Sequence, residues 1–358
     1  MTEPANHPCC FILPPSVLAR VVEEGDPEAR DAALKTLAAS ASMRARRGVV
    51  QQLGLTAAQL APISPPTNGE QRSVYDMQNQ GGSALPGKLM WSEGDPASTD
   101  LAVKEAAEGA GHTYDFYKAV LGRDSLDGQD MALVSSVHYG VDFDNAFWQG
   151  TQMVYGDGSG KFLVKNSLTH DVAVIGHEMT HGVTQFTAGL HYSKQSGALN
   201  ESWSDVFGSL VKQYANHETA DAADWLIGAG IMGPSAPGKA LRSMKDPGTA
   251  FKFDNQPAHM SGYVNLPDDN NPRNDNGGVH INSGIPNKAF YLVATSIGGN
   301  AWEKAGPIWY DTLTKKLSKD SQFKDAANAT VASANELYGA GSDAEKAVTS
   351  AWKSVGVL

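Results

Sequence analysis

Residues 177–181 read His-Glu-Met-Thr-His, with two histidines four positions apart. On a helix this spacing puts both imidazoles on one face, close enough to bind one metal ion. Glu178 would point to the side of that pair, where it can reach a metal-bound water without being a ligand. Two histidines at this spacing also occur on ordinary helix surfaces. The hypothesis of a zinc hydrolase centre therefore requires a further ligand from elsewhere in the chain.

A second cluster, in 200–205, carries Glu201 and Asp205, again four positions apart. Catalytic zinc takes three protein ligands and leaves a fourth position open, so we assign Glu201 as the third ligand beside the two histidines. Asp205 is expected to accept the remaining ring N–H of His177, which would fix the tautomer and orientation of that ring. A glycine-containing turn at 196–198 is expected to precede the helix that carries both acids.

A third cluster is the glycine-rich stretch 274–284, which reads as a loop and carries His280 five residues after Asp275. Attack of hydroxide on a carbonyl produces an oxyanion that needs a hydrogen-bond donor. An imidazolium held by a carboxylate would provide that donor. The alternative is a loop histidine with a purely structural role.

The elements that must position these clusters divide the chain into two kinds of structure. Alternating and apolar patterns predict strands over 131–139 and 147–155, and one helix over 100–120 lies among them. Further helices are predicted over 172–186, 200–214 and from a capping box at Ser342 to about Val355. The fold class is therefore α+β. We expect a β-rich N-terminal half and an α-helical C-terminal half, with the zinc-binding helix at their junction and the active-site cleft between them.

The N-terminal segment differs from the rest of the chain. Residues 16–61 are typical of short amphipathic helices, with Asp26-Pro27-Glu28 as a helix start, and 61–69 is a Pro/Ser/Gly stretch typical of a linker. This segment is either a small helical lobe or a removable pro-segment. We predict a pro-segment at 1–65, a β-rich catalytic subdomain at 66–186 that includes the H-E-x-x-H helix, and a helical subdomain at 187–358.

Charge and composition limit the partners. Among 358 residues, 28 Lys and Arg oppose 39 Asp and Glu, a net charge of −11. This balance argues against a nucleic-acid or anionic-membrane partner, because both require a positive surface. No apolar stretch approaches the roughly 18 residues of a membrane helix. We expect peptide substrates and a monomer.

Cys9 and Cys10 are the only cysteines. Adjacent cysteines rarely form an unstrained disulfide, so the fold is expected to form without one. Either thiol could cap the zinc as a thiolate, or the apolar residues 11–13 could pack in the cleft instead. The N-terminus lacks a basic region followed by an apolar core, so no secretory signal is visible.

Five motifs in order make the chain resemble the thermolysin-like neutral zinc metalloproteases (gluzincins) over about 72–357. The short N-terminal segment with Pro14-Pro15 resembles the protealysin branch, whose precursors carry a brief pro-segment. Such proteins are mostly secreted, so the resemblance implies secretion, with cytoplasmic retention or non-classical export as the alternative. The motifs are at 145–148, 177–181, 197–205, 241–247 and 277–284.

The resemblance implies a zinc-dependent endopeptidase made as a latent precursor that its own pro-segment inhibits within the molecule. His177, His181 and Glu201 would bind zinc, and Glu178 would be the general base. The remaining roles concern the transition state and the substrate. The resemblance implies that His280, oriented by Asp275, and Tyr192 stabilise the oxyanion. It also implies that Arg242 binds a substrate carbonyl and that Asn145 and the Ala146 backbone hold the substrate strand. Val174 and Leu241 would line an apolar pocket for the residue after the scissile bond.

The resemblance also implies a calcium pair beside the active-site helices, but the residues at those positions do not suit it. The chain has Ala173, Lys212 and, in what is expected to be the next helix, Leu226 and Ala229; only Asp224 keeps an acid. Because Ca²⁺ takes 6–8 oxygen ligands, a lysine ammonium there would repel it. We predict that the calcium pair is absent and that Lys212 compensates the remaining charge.

Two other functions fit part of the pattern. A zinc aminopeptidase also combines H-E-x-x-H with a distant glutamate, but the G-x-M-E-N element of that group is missing here, and 19 residues separate His181 from Glu201 instead of the 18 of that group. A catalytically silent binding protein on the same fold would have a broken site, whereas all the expected ligands and acid/base residues are present. Cleavage of an N-terminally blocked peptide would separate these alternatives.

Overall fold

The N-terminal part of the chain forms one short strand and two helices. The computed structural model describes residues 10–52, 69–269 and 271–358. Strand β1 (Cys10–Phe11) is followed by α1 (Pro15–Glu24) and α2 (Pro27–Gln52). The predicted helix start at Asp26 is confirmed, because its Oδ1 accepts the Ala29 N–H at 2.9 Å. Most of the predicted linker, 61–68, lies outside the described residues.

A mixed sheet forms the β-rich half. Besides β1, its strands are β2 (Arg72–Asp76), β3 (Lys88–Ser92), β4 (Leu133–Val137), β5 (Ala146–Trp148) and β6 (Met153–Tyr155). The six strands have the spatial order β1-β5-β6-β4-β2-β3. The pairs β2–β4 and β4–β6 are parallel, whereas β1 pairs antiparallel with β5 at one edge of the sheet.

Helices dominate the second half, as expected, and the α+β fold class is confirmed. The helix within the β-rich half, α3, begins after Asp100, which caps it. Helix α10 begins after Ser342, whose hydroxyl accepts the Glu345 N–H. The helices are α3 (Leu101–Leu121), α4 (Val172–Gln185), α5 (Lys194–Asn216), α6 (Asp275–Asn282), α7 (Gly284–Ile297), α8 (Ala305–Lys315), α9 (Phe323–Tyr338) and α10 (Asp343–Ser354). In the described ranges, no helix combines the length and apolar character needed to cross a bilayer.

Two sequence expectations about local structure were wrong. The predicted strand 147–155 is two strands, β5 and β6, and they are joined by a turn in which Gly150 has a φ of 105°. The predicted turn at 196–198 is helical, since α5 begins at Lys194. Gly197 is required there by a close approach, because a Cβ would lie 2.9 Å from the Tyr192 carbonyl carbon.

Two further expectations need correction. The expected helix around Leu226 and Ala229 is absent, because Leu226–Ile227 is strand β7 and pairs antiparallel with β8 (Arg242–Ser243). The predicted loop at 274–284 is mostly helical and contains α6. Left-handed residues 276–278 bend the start of α6, and His280 follows on its helical part. The two glycines among these residues adopt positive φ without the steric penalty of a Cβ.

The contact between α4 and α5 sets the distance between the two halves of the predicted zinc site. Glycines at the crossing let the two backbones approach closely. A Cβ at Gly208 would overlap the Ala173 carbonyl oxygen and lie 2.9 Å from the His177 nitrogen, and a Cβ at Gly176 would lie 3.1 Å from the Gly208 Cα. The side chains that α5 directs toward α4 therefore reach those of the H-E-x-x-H motif.

We expect Gly208→Ala to push α5 away from α4. Overpacking at such a contact lowers the free energy of unfolding by about 1–3 kcal/mol, and it should also weaken zinc binding because Glu201 moves with α5. Chemical unfolding and a zinc competition titration would measure both effects. Gly81→Ala is the matched control, since Gly81 has a φ of −88° and a Cβ there meets open space. Wild-type values for both quantities in Gly208→Ala would contradict this account.

Candidate active site and metal centre

Three buried side chains from α4 and α5 converge on one point. His177 Nε2 lies 3.1 Å from His181 Nε2 and 3.5 Å from Glu201 Oε2, and His181 Nε2 lies 3.5 Å from Glu201 Oε1. A tetrahedral zinc ion with bonds of about 2.0–2.1 Å separates its ligands by about 3.4 Å. The observed spacing therefore suits one zinc ion. Among the described residues, His177, His181 and Glu201 form the one group of three histidine, cysteine or acidic side chains whose ligand atoms lie close enough together to bind a metal ion.

The chemistry of these donors also suits a cation. Glu201 Oε2 is buried and, among the described residues, has no hydrogen-bond partner, which is unfavourable unless an ion satisfies it. Burial lowers the pKa of His181 to about 3, so its ring is neutral at pH 7 and keeps a lone pair for a metal. Burial alone would raise the pKa of Glu201, but nearby positive charge, first of all that of His280, lowers it. Glu201 is thus a carboxylate.

Hydrogen bonds at the other ring nitrogens orient both histidines. His177 Nδ1–H donates to Asp205 Oδ1 at 2.7 Å, and His181 Nδ1–H donates to Asn200 Oδ1 at 2.8 Å. Each bond fixes the tautomer that leaves Nε2 unprotonated toward the metal position. Sequence reasoning missed Asn200, although it directly precedes Glu201 and lies on the same helix.

Asp205 is the centre of a wider buried network. Its Oδ1 accepts from Arg242 Nη2 and its Oδ2 from Asn287 Nδ2, each at 2.8 Å. Burial acts to raise the pKa of Asp205, but the Arg242 guanidinium and His177 outweigh it and lower the pKa. Asn287 was missed as well, because it comes from α7 and no local spacing links it to the motif.

Glu178 lies beside the metal position and is not among its ligand atoms. Its Oε2 accepts the backbone N–H of Trp148 in β5 at 2.9 Å, and its Oε1 has no partner among the described residues. Burial, together with the nearby charge of Glu201, raises the pKa of Glu178 well above its usual range. A carboxyl group with a raised pKa can accept and return a proton near neutral pH.

His280 and Tyr192 form a pair of hydrogen-bonding groups next to Glu201. His280 Nδ1–H donates to Asp275 Oδ1 at 2.6 Å, and His280 Nε2 lies 3.1 Å from the Tyr192 hydroxyl, which also donates to Glu201. Burial opposes the charge of His280, but Glu201 and Asp275 raise its pKa to about 9. His280 is therefore an imidazolium at pH 7, as an oxyanion donor requires.

The N-terminal segment lies in this cleft and pairs with β5. The Ile12 N–H donates to the Ala146 carbonyl at 3.1 Å. Leu13 exchanges two hydrogen bonds with the Asn145 side chain, as its N–H donates to Oδ1 at 3.0 Å and its carbonyl accepts from Nδ2 at 3.1 Å. The residues expected to hold a substrate strand thus hold a segment of this chain.

The same segment accepts hydrogen bonds from the two cationic groups of the cleft. Arg242 Nη1 donates to the Ile12 carbonyl at 2.8 Å, and His280 Nε2 donates to the Phe11 carbonyl at 3.0 Å. Ile12 also belongs to one buried apolar cluster with Val174 and Leu241, the two residues predicted to line a side-chain pocket.

The described cysteine lies near the site but outside the ligand group. Cys10 is buried in a small apolar cluster with Tyr192 and Val279, and the ligand group consists of two histidines and a glutamate. Of the two alternatives for the N-terminus, the packing of residues 11–13 in the cleft therefore agrees with the structure. Cys9 lies outside the described residues.

A buried group of two histidines and one glutamate, with the Glu178 carboxyl group and the His280 imidazolium beside it, is typical of a zinc-dependent peptide hydrolase. Sequence profiles of the thermolysin metallopeptidase catalytic domain and of the thermolysin metallopeptidase alpha-helical domain match residues 65–185 and 188–357. The chain belongs to the thermolysin metallopeptidase family. It is a zinc metalloendopeptidase made as a precursor.

Individual relatives agree with this assignment. An extracellular metalloprotease of Pectobacterium carotovorum subsp. carotovorum is 44% identical over 362 residues, which cover 98% of this chain and 97% of the relative. Thermolysin of Alicyclobacillus acidocaldarius subsp. acidocaldarius is 43% identical over 301 residues, 81% of this chain and 52% of the relative. The solved precursor of protealysin, a metalloproteinase from Serratia proteamaculans, superposes with a TM-score of 0.84 at 44% identity, covering 98% of this chain and 100% of the other.

We expect Asp205→Asn to weaken zinc binding by about 10- to 100-fold, as is usual when the partner of a ligating histidine is lost. The amide cannot balance the charge of Arg242, and the orientation of His177 relaxes. Competition with a chromophoric chelator would measure the affinity. Asp311→Asn is the control, because Asp311 is a buried carboxylate paired with Lys315 and Lys316 away from the site. An unchanged affinity, or an equal loss in the control, would rule out the orienting role of Asp205.

Proposed function

We propose that His177, His181 and Glu201 hold a single catalytic zinc ion and that the site hydrolyses internal peptide bonds. Bound zinc would lower the pKa of a coordinated water toward about 7 and polarise the substrate carbonyl. Glu178 takes a proton from the attacking water and delivers it to the leaving nitrogen. His280 and Tyr192 donate hydrogen bonds to the carbonyl oxygen as negative charge develops on it.

The substrate binds as an added antiparallel strand beside β5. Asn145 and the Ala146 carbonyl bind its backbone, and Arg242 binds the carbonyl of the residue after the scissile bond. Val174 and Leu241 give the site a preference for an apolar side chain at that residue. The hydrogen bonds of Ile12 to Arg242 and to the Ala146 carbonyl support the backbone assignments, and Ile12 is buried in the same apolar core as Val174 and Leu241.

One observation carries the choice of endopeptidase over aminopeptidase: a bound segment continues in both directions past the reacting position. Cys10 pairs with Trp148 on one side of the Phe11 carbonyl, and Leu13 is bound by Asn145 on the other. An aminopeptidase must close its cleft around a free amino terminus, whereas this cleft accepts a polypeptide that extends through it.

The segment 1–65 is the pro-segment and acts as an inhibitor within the same molecule until it is removed. It covers the groups that would bind substrate, and its acidic residues face basic residues of the catalytic part. Glu24 pairs with Lys252, Glu23 with Arg273 and Glu28 with Lys161. Residues 66–186 and 187–358 then form the two catalytic subdomains of a monomer. Export from the cell is supported by the extracellular relative.

We expect Glu178→Ala to keep zinc and fold but to lose turnover of casein and of an N-terminally blocked peptide by about 10²–10⁴-fold, the usual contribution of a general base. His177→Ala should instead lose the metal. Metal analysis, circular dichroism and both assays would be run together, with the exposed His112→Ala as control. Normal cleavage by Glu178→Ala, or full zinc content in His177→Ala, would show the role assignments to be wrong.

We propose that Lys212 replaces the calcium pair beside α4 and α5. Lys212 Nζ lies 2.8 Å from Asp224 Oδ2 and 3.8 Å from Asp171 Oδ1. An ammonium at these distances neutralises the two carboxylates and repels Ca²⁺. Calcium chelation with zinc kept saturating should therefore leave the melting temperature unchanged. A large drop that added calcium reverses would refute the proposal.

A further inference from the structure

We propose that the Phe11–Ile12 peptide bond is itself a substrate, and that its hydrolysis by the same chain is the first processing step. This inference rests on the proposed zinc endopeptidase activity. It adds a specific bond, a direction of binding and an order of events to that activity.

The Phe11–Ile12 bond lies where the reacting bond of a substrate is proposed to bind. Its carbonyl oxygen accepts from His280 Nε2 at 3.0 Å, and its N–H donates to the Ala146 carbonyl at 3.1 Å. His280 is the donor assigned to the developing oxyanion, so the Phe11 carbonyl occupies the place of the reacting carbonyl. The bond between these two contacts is Phe11–Ile12.

The segment runs through the cleft in the direction proposed for a substrate. The residue that follows the bond has its carbonyl on Arg242, and Leu13 is bound by the Asn145 side chain. Both contacts involve residues that follow the Phe11–Ile12 bond. Arg242 and Asn145 are proposed to bind the same part of a substrate, the part that follows the scissile bond. The antiparallel pairing of Phe11 with Phe147 has the same direction. The segment is therefore bound as a substrate is and not in reverse.

The side chains on both sides of the bond are packed against the protein. The rings of Phe11 and Phe147 are 4.9 Å apart, centroid to centroid, and Phe11 belongs to a buried cluster with Tyr139 and Phe143. Ile12 is fully buried in the main core. The cleft therefore accommodates an apolar side chain on each side of the bond.

The chemistry balances with water as the co-reactant. Oxygen of the water bonds to the Phe11 carbonyl carbon, one water proton passes through Glu178 to the Ile12 nitrogen, and the C–N bond breaks. The second water proton then leaves the new carboxyl group and also passes to that nitrogen, so the products are a carboxylate at Phe11 and an ammonium at Ile12. Glu178 Oε2 accepts the N–H of Trp148, and Trp148 directly follows Phe147, the residue that pairs with Phe11.

The cut would not by itself release the inhibitor. Leu13 keeps both hydrogen bonds to Asn145, and α1 and α2 keep their ion pairs with the catalytic part, such as Lys252 with Glu24 and Lys35 with Asp142. A chain that begins at Ile12 therefore stays latent. Activity on added substrate should appear later, when the segment between Ile12 and the catalytic part is removed.

The cut is tested by adding zinc to the purified metal-free full chain at several protein concentrations. Intact mass and N-terminal sequencing should report the loss of residues 1–11 and a new N-terminus at Ile12, with a rate constant independent of concentration. Ile12→Pro lacks the N–H bound by Ala146 and should stay uncut, whereas Ile12→Val should be cut. Glu178→Ala should slow the cut by about 10²–10⁴-fold.

A second measurement needs no metal and no activity. In the zinc-free Glu178→Ala chain, amide hydrogen exchange should be slow at Ile12 and Leu13, because both N–H groups donate to the catalytic part. Asn145→Ala in the same background should speed exchange at Leu13 more than at Ile12. Fast exchange at both amides in the zinc-free Glu178→Ala chain would show that Ile12 and Leu13 do not bind Ala146 and Asn145, and it would overturn the inference.

The two levels of the account fail differently. If the mature enzyme cleaves a blocked peptide but no chain ever begins at Ile12, the self-cleavage inference is wrong and the proposed function stands. A rate constant that rises with protein concentration would assign the cut to neighbouring molecules and overturn the inference. If the protein binds no zinc and cleaves no peptide, the proposed function itself fails.

Discussion

The arrangement of this site depends on the balance of charge in a space that excludes water. Three acids, Glu178, Glu201 and Asp205, lie buried within two adjacent helices. Burying carboxylates is unfavourable unless cations or donors compensate them. Arg242 and the imidazolium of His280 supply part of that compensation, and a dication at the two histidines of α4 would supply the rest. Metal binding and folding of this region are therefore expected to be coupled.

The second constraint is the open edge of the sheet at β5. An edge strand presents unpaired backbone groups that another strand can use. In this precursor β1 pairs with β5 at that edge, and the groups assigned to substrate recognition bind the segment that contains β1. Under the proposed function, the same edge binds the pro-segment in the latent precursor and the substrate in the mature enzyme. The glycine contact between α4 and α5 holds the catalytic groups at the height of that edge.

How far the sequence predicts this arrangement depends on the kind of group. His177, His181 and Glu201 follow from helical spacing and ligand chemistry, and the structure brings their atoms within 3.5 Å of one another. The α+β architecture follows from periodicity. Backbone partners such as the Trp148 N–H on Glu178 have no sequence signature, since every residue but proline carries an N–H. Asn287 reaches the site only through tertiary packing.

The errors have the same origin. Glycine in 196–198 favours a turn by local propensity, but the helix continues because Gly197 is needed for a close contact with Tyr192. Strand β1 is two residues long and is stable only because β5 pairs with it. Its place in the cleft depends on contacts separated by more than a hundred residues in the chain. Local patterns carry no information about such pairings.

Zinc-edge X-ray absorption on the purified protein tests the central claim most directly, because it reports the identity and distance of the atoms around the metal. The account predicts one zinc per chain, with two imidazole nitrogens and carboxylate oxygen at about 2.0–2.1 Å. A chain that retains no zinc, or a zinc ion without two imidazole ligands, would contradict it.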